Sequence, residues 1–200
     1  AEAYISASPE QLKYAMDELN QAISVPATDS LAFVIGENGL DIAKKFDMPF
    51  PIIKVGNWIG PLLVHAATQK VKKILLLGYY GKLIKLAGGI FHTHNHLADA
   101  RIEILVYLAV KEKLPLKIIN SFIKSQTIDD AIKIVESYDS ELARNLICEI
   151  SNQVEIRSIE YIHKYISSET KVGVVLFDRE RKIRSISQNS QKMFSKIFTL

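Results

Sequence analysis

The chain has 200 residues, of which 48% are hydrophobic, and its formal net charge is +3. This length predicts one compact domain, or one domain with a small appendage. The weak charge and the lack of a long apolar run argue against nucleic-acid or membrane partners. The single cysteine, Cys148, excludes an internal disulfide and a cysteine-based zinc cage, and favours a cytoplasmic protein.

The first half of the chain alternates predicted helices and strands. Ser8 is a candidate N-cap for a helix that runs to about residue 24, with Pro9 at its first position. Apolar runs predict strands at 31–35, 52–55 and 74–77, with helices at 40–46 and 59–70 between them. This order predicts an α/β fold, with a parallel sheet and a Rossmann-like β-α-β-α-β core.

The second half is predicted to be mainly helical, with a terminal β-hairpin. We expect helices at 102–112, after a Thr127 cap and within 140–167, and hairpin strands at 171–177 and 183–186. Cys148 lies among Leu146, Ile147 and Ile150, which predicts a buried thiol. We therefore divide the chain into a core domain, 1–126, with a ligand crevice, and a segment, 127–200, packed on it.

Glycine-bearing segments follow each of the three predicted strands: GENG at 36–39, GN at 56–57 and GYYG at 78–81. The carboxyl ends of parallel strands meet at one edge of a sheet, where ligands of α/β proteins bind. The three segments therefore predict a crevice at that edge.

The third segment continues into G-x-x-G-K, which lacks the spacing of a nucleotide-phosphate loop and has Leu83 in its Ser/Thr position. Lys82, Lys85 and backbone N–H groups at a helix start would suit a carboxylate or phosphate. An equally simple interpretation is a tight strand-to-helix turn with solvated lysines.

Three alternating histidines, His92, His94 and His96, precede Asp99 and raise the hypothesis of a metal-dependent hydrolase. The aspartate falls one position late for a dinuclear zinc motif, and such histidines also serve as hydrogen-bonding or surface groups. Arg101 could bind an anion, or belong with Asp99 to an ordinary charged helix start.

One long block resembles the cobalt-precorrin-5B C1-methyltransferases of anaerobic cobalamin biosynthesis. The resemblance lies in Gly78-x-x-Gly81-Lys82-Leu83-x-Lys85-Leu86-Ala87-x-Gly89-x-Phe91, then Thr93-His94 and Ala98-Asp99-x-Arg101-x-Glu103. Asn57-x-Ile59-Gly60 and Gly36-x-Asn38-Gly39 also fit, and the resemblance covers about residues 3–114. Tyr79 stands where that family usually has histidine, so we give it no acid–base role.

The resemblance implies methyl transfer from S-adenosylmethionine to C1 of cobalt-precorrin-5B, giving cobalt-precorrin-6A, with cobalt only in the substrate and no metal site on the protein. We assign six residues to the donor: Gly36, Asn38, Gly39, Asn57, Gly60 and Gly78. We assign six to the substrate: Gly81, Lys82, Lys85, Asp99, Arg101 and Glu103. Thr93 and His94, in the loop after the lysine-bearing helix, are the hypothetical catalytic residues, and which segment holds the donor and which the macrocycle stays open.

The family's N-terminal domain is expected to be absent from this chain and supplied in cis or in trans. The expected ligand is a small-molecule corrin precursor. A non-catalytic fragment that binds an anionic tetrapyrrole remains an alternative, and a homo-oligomer stays open.

Overall fold

A computed structural model describes residues 8–26 and 28–198 of the chain. Its centre is one five-stranded sheet in the order β2-β1-β3-β4-β5. In chain order the strands β1 to β5 are Ser30–Val34, Ile52–Lys54, Lys73–Tyr79, Lys171–Phe177 and Ile183–Ile186. Neighbouring strands are parallel except β4 and β5, which are antiparallel. The predicted α/β class is confirmed, but the sheet is mixed because the hairpin extends it.

The helices of the described residues lie on both faces of this sheet. In chain order α1 to α9 are Pro9–Ser24, Gly36–Lys45, Ile59–Thr68, Tyr80–Ala87, Arg101–Lys111, Leu116–Ser121, Ile128–Tyr138, Ser140–His163 and Gln188–Phe194. The predicted caps of α1 and α7 are confirmed: the Gln11 N–H donates to Ser8 Oγ at 3.3 Å, and Thr127 and Asp130 form a capping box.

Two predicted loops at the sheet edge are instead parts of regular elements. GENG is the first turn of α2, because Gly36 has φ +73° and reverses the chain directly after β1. In GYYG, Gly78 and Tyr79 still belong to β3, and α4 begins at Tyr80. The strand ends therefore pass almost directly into helices, so helix N-termini lie close to the sheet edge.

The sheet is covered on both faces by apolar side chains. Alternate residues of the central strands enter two separate hydrophobic clusters, as the two-residue period of a strand requires. Leu76 of β3 packs in the larger cluster with α8, whereas Leu77 packs in the smaller cluster with α2 and α9. Strands buried on both faces explain the continuous apolar runs in the sequence.

The prediction of a buried Cys148 is wrong, because this residue of α8 is exposed. Leu146, Ile147 and Ile150 are fully buried. A helix turns by about 100° per residue, so the residue after Ile147 leaves the buried stripe.

Residues on both sides of position 126 share the central sheet. β4 pairs with β3 over seven residue pairs. The division into 1–126 and 127–200 stays a prediction. Within the residues that the structure describes, no helix combines the length and the apolar character that a membrane span requires.

Candidate functional site

Three cavities lie along the carboxyl edge of the sheet and share lining residues. The lysine cavity, of about 340 Å³, is lined by Asn57, Tyr79, Gly81, Lys82, Lys85, Thr93, His94, Asn95, His96 and Arg101. The strand-end cavity, of about 510 Å³, is lined by Ile35, Gly36, Glu37, Asn38, Tyr79, Phe177, Asp178 and Arg179. The acid–base cavity, of about 410 Å³, is lined by Tyr80, Asp129, Asp130, Lys133, Glu136, Asp178, Arg179, Glu180, Lys182 and Arg184.

Lys85 holds the segment 92–99, which we call the histidine loop. The lysine is fully buried. Its ammonium donates to the carbonyl oxygens of Thr93 and Ala98 at 3.1 and 2.8 Å and to Asn95 Oδ1 at 2.6 Å. All three of its N–H groups therefore have partners in the loop. Burial lowers the pKa of Lys85, and its bonding shows that it is not a solvated surface lysine.

A second anchor ties the histidine loop to the end of β2. Thr93 Oγ1 donates to Asn57 Oδ1 at 2.9 Å, and the Thr93 N–H donates to the Asn57 carbonyl oxygen at 3.1 Å. Both residues are buried. His94 lines the lysine cavity, and its ring stacks on that of His96 with centroids 5.0 Å apart. Thr93 and His94 thus both line this cavity, and their catalytic role stays a prediction.

Lys82 contrasts with Lys85, although the two belong to the same helix. It is half-buried in the lysine cavity and has no hydrogen bond or ion pair with another of the described residues. Burial, assisted by the positive charge of Lys85, lowers the pKa of Lys82 to about 8. A half-buried cation without a counter-charge is a suitable group for binding an anion.

Arg101 and Asp99 meet at the rim of the same cavity. The guanidinium donates from Nε and Nη2 to the two carboxylate oxygens of Asp99, each at 2.7 Å. This bidentate pair lowers the pKa of Asp99. Glu103 is exposed and lines none of the three cavities. The structure therefore joins Asp99 and Arg101 but leaves Glu103 apart.

The glycines predicted to bind the donor fall into two groups. Gly36 lines the strand-end cavity together with Asn38, and no atom lies within 4 Å of the position that a Cβ on Gly36 would take. At Gly39, Gly60 and Gly78 a Cβ would lie 3.3, 2.7 and 2.8 Å from Leu77 O, Tyr161 Oη and Leu83 Cδ1. Close packing of helix and strand explains these three glycines. Gly81 similarly leaves room for the Tyr79 ring, because a Cβ on Gly81 would lie 2.5 Å from Tyr79 Cε1.

Asp129 is the centre of a polar cluster that the sequence analysis does not identify. Tyr79 donates its hydroxyl to Asp129 Oδ2, and Tyr80 donates to Oδ1 at 2.8 Å. Arg179 Nε lies 2.9 Å from Oδ2. Burial raises the pKa of the Asp129 carboxyl, and it raises the pKa of Tyr80 to about 12. Tyr79 therefore joins the lysine cavity to a buried carboxylate on its other side.

Part of this cluster had a signal in the sequence. Asp178 and Arg179 directly follow β4, so the argument from strand ends would have placed them at this edge. Asp129 had no such signal, because it lies in the first turn of α7 and only tertiary packing brings it to β3.

The histidines do not form a metal site. No three His, Cys, Asp or Glu side chains within 8–26 and 28–198 are arranged to hold a metal ion. His92 packs edge-on against Trp58 with centroids 4.2 Å apart, His94 stacks on His96, and Asp99 binds Arg101. The hydrolase hypothesis therefore lacks its ligand set.

Comparisons with known proteins agree with the resemblance in the sequence. Residues 92–188 match the family model described as CbiD, C-terminal domain. Relatives named cobalt-precorrin-5B C(1)-methyltransferase occur in Prochlorococcus marinus strains MED4, MIT 9515 and MIT 9312. They are 56%, 54% and 49% identical to this chain over 195 residues, which is 98% of the chain.

Those 195 residues are 52%, 52% and 53% of the three relatives, so the chain spans about half their length. No solved structure is significantly similar to it. These matches show that the chain contains the CbiD C-terminal domain and is similar, along nearly its whole length, to about half of proteins named cobalt-precorrin-5B C(1)-methyltransferase.

Proposed function

We propose that this chain is part of an S-adenosylmethionine-dependent enzyme that methylates C1 of cobalt-precorrin-5B, giving cobalt-precorrin-6A, in anaerobic cobalamin biosynthesis. The observation that carries the proposal is the lysine cavity, which has a cation without a partner among residues 8–26 and 28–198 and shares Tyr79 with the strand-end cavity. Two adjoining cavities of different character suit a transfer between two small molecules. The relatives' name supports the reaction class.

We assign the methyl donor to the strand-end cavity. The strand order reverses direction between β1 and β3, and ligands of Rossmann-like sheets bind outside such a switch point. The open space beside Gly36 lets a ligand approach the backbone. Glu37 and Asn38 carry side-chain oxygens that accept from Lys54 and Arg181 in the free chain, and each can accept a further hydrogen bond from a ribose hydroxyl. These features fit an adenosyl group. Asn57, Gly39, Gly60 and Gly78 do not line this cavity, so we do not assign them to the donor.

We assign the edge of the corrin precursor to the lysine cavity. Such a precursor carries many carboxylates, and Lys82 has no counter-charge among the described residues. A carboxylate bound there would form a charge-assisted hydrogen bond with the ammonium. Arg101 can bind a second carboxylate by exchanging Asp99, because both partners of that pair are partly exposed to solvent. Cobalt would enter as part of the substrate.

The role of the chain in the reaction is to position the reactants and exclude water. S-adenosylmethionine supplies an electrophilic methyl group, so the protein has to hold its ligands in line. Lys85 and Asn57 fix the histidine loop on the macrocycle side. The Thr93 hydroxyl gives its proton to Asn57, so its oxygen remains an acceptor. His94 is placed to hydrogen-bond near the reacting carbon.

The rest of the site comes from outside these residues. Because the relatives are about twice as long, we propose that a further, N-terminal domain completes the enzyme in cis or in trans. Restoration of turnover when that domain is added to this chain would support this version. We propose that the enzyme is cytoplasmic, as the single cysteine suggests.

Turnover of the complete enzyme with a Lys82→Gln substitution tests the assignment of the lysine cavity. We expect KM for the corrin substrate to rise about tenfold, since a charge-assisted hydrogen bond contributes about 1.5 kcal/mol. Lys72→Gln is the matched control, because Lys72 is exposed at the opposite end of β3. Equal KM values for both variants would remove Lys82 from the substrate site.

The same assay with His94→Ala tests the proposal that His94 donates or accepts a hydrogen bond near the reacting carbon. We expect kcat to fall by one to two orders of magnitude, as for the loss of one positioned hydrogen-bonding group. Unchanged turnover and substrate affinity would exclude a catalytic role for His94.

A further inference from the structure

The carboxylate of Asp129 is buried, whereas Arg179, the cation that it pairs with, is exposed. Its side chain is 12% exposed, whereas the side chain of Arg179, its ion-pair partner, is 64% exposed. Arg184 in the same cavity is 25% exposed and pairs with both Glu136 and Asp178. Arg184 is therefore a fixed structural cation, and Arg179 is the one that can turn away into solvent.

The surroundings of the Arg179 guanidinium have the features of a cation-binding site. Its Cζ lies 5.8 Å from the centroid of the Tyr79 ring, and its Nε lies 3.3 Å from the Tyr79 hydroxyl. An aromatic face together with a carboxylate binds organic cations well. Tyr79 donates its hydroxyl to Oδ2, the oxygen that Arg179 also contacts, and Tyr80 donates to Oδ1. These two hydrogen bonds keep the carboxylate fixed when the cation is exchanged.

Exchange of the cation is favoured by hydration. An exposed guanidinium regains its water when it leaves, so its pair with Asp129 is weak. A buried carboxylate left without a cation is costly. A weakly hydrated cation such as a sulfonium or alkylammonium loses little water when it binds beside Asp129. It then supplies the positive charge that the Arg179 guanidinium removes on leaving.

From these contacts we propose that Tyr79 and Asp129 form a binding site for a small organic cation, and that the side chain of Arg179 is an internal occupant that the ligand displaces. Tyr79 and Arg179 both line the strand-end cavity. The inference rests on the proposed function, since the ligand we assign to the site is the sulfonium group of the methyl donor. It places that group beside Tyr79, the residue shared with the lysine cavity.

The test compares S-adenosylmethionine with S-adenosylhomocysteine, which lacks only the methyl group and its positive charge. Calorimetric titration should give tighter binding of the cationic ligand to the wild-type chain. Asp129→Asn should weaken that ligand about tenfold and leave the neutral one unchanged. Arg179→Ala should tighten the cationic ligand severalfold, since the competing guanidinium is gone. Lys182→Ala, which removes an exposed cation of the same turn, should change neither.

The two substitutions thus act in opposite directions on one ion pair. Weaker binding of S-adenosylmethionine to Arg179→Ala would overturn the proposal, because Arg179 would then be a ligand contact. This variant changes an exposed residue, so the test holds even if Asp129→Asn does not fold.

A second probe separates this inference from the assignment of the donor. Trimethylsulfonium carries the charge without the adenosyl group, and its binding can be followed by the NMR shifts of the Tyr79 and Tyr80 rings. If neither nucleoside binds but trimethylsulfonium shifts these rings, more so in Arg179→Ala, the donor assignment fails and the cation site stands. If the nucleosides bind equally and trimethylsulfonium shifts nothing, the cation site alone is overturned.

Discussion

The lysine cavity and the acid–base cavity use their charges in opposite ways. In the first, Lys82 has no counter-charge among the described residues, and Lys85 is bound by neutral oxygens of the histidine loop. In the second, Arg179 and Arg184 each pair with a carboxylate. Lys82 and Lys85 are of the same type and lie on the same helix, so the packing around a cation, and not its residue type alone, decides whether it has partners among the described residues.

The largest expected effect is the loss of Lys85, the lysine that serves the fold. Lys85→Met would leave two carbonyl oxygens and the Asn95 amide oxygen without their donor. We expect the free energy of unfolding to fall by about 3 kcal/mol, together with faster hydrogen exchange in residues 93–98. Urea unfolding and exchange mass spectrometry measure the two quantities.

Lys82→Met is the matched control, and its effect should have the opposite sign. The pKa of Lys82 is lower in the folded chain than in the unfolded one, so the unfolded state binds more protons between the two values. Wild-type stability should therefore rise with pH above about 8, and at pH 7 the methionine variant should be more stable. Equal losses in both lysine variants would contradict the comparison.

The next largest effect is a difference in stability between alanine variants of Gly60, which is closely packed, and of Gly36, which lines the strand-end cavity. Gly60→Ala should destabilise the fold by about 2 kcal/mol, because the added methyl would meet Tyr161 and Phe91. Gly36→Ala should cost about 1 kcal/mol, from its positive φ alone. Thermal unfolding of both variants checks the order. A larger loss at Gly36 would mean that the space beside it is not open.

A smaller effect concerns the pH dependence of anion binding in the lysine cavity. Cobyrinic acid, a corrin that carries free carboxylates, should bind about tenfold more weakly at pH 9 than at pH 7. The reason is that Lys82, with a pKa of about 8, loses most of its charge across this range. Titration of Lys82→Gln should give weak affinity with little change over the same range. A wild-type affinity that stays constant from pH 7 to 9 would contradict the role of Lys82.

The smallest expected effect is the loss of the hydrogen bond between Thr93 and Asn57, the second anchor of the histidine loop. Thr93→Val removes the hydroxyl that donates to Asn57, and we expect a loss of about 1 kcal/mol in urea unfolding. Thr93→Ser keeps the hydroxyl and should lose less. If the valine variant were as stable as the wild type, the Asn57 contact would not hold the loop.

The strands and caps could be predicted because their signals are local. The apolar runs at 31–35, 52–55, 74–77 and 171–177 each overlap a strand of the sheet. The start of α2 was missed, since GENG has the composition of a turn and only the positive φ of Gly36 permits a helix directly after β1. The helix α9 was not predicted either.

The site could be predicted less completely, because its contacts are long-range. The strand-end argument located Lys82 at this edge, whereas Thr93 and His94 were singled out by the resemblance and by their loop, and they line the same cavity. The sequence contains no local signal that Lys85 would be enclosed by residues 8 to 13 positions further on. It also gave no sign that Asp129 would meet Tyr79, because 50 positions separate the two residues. Spacing along one helix face predicts proximity, but not which partner neutralises a charge.

The most direct test of the central claim is calorimetric titration of this chain with S-adenosylhomocysteine. The account predicts micromolar binding, and loss of binding in Gly36→Val, whose side chain would fill the open space of the strand-end cavity. Absence of binding, both by the folded wild-type chain and by the complete enzyme, would contradict the claim that the carboxyl edge of this sheet holds the methyl donor.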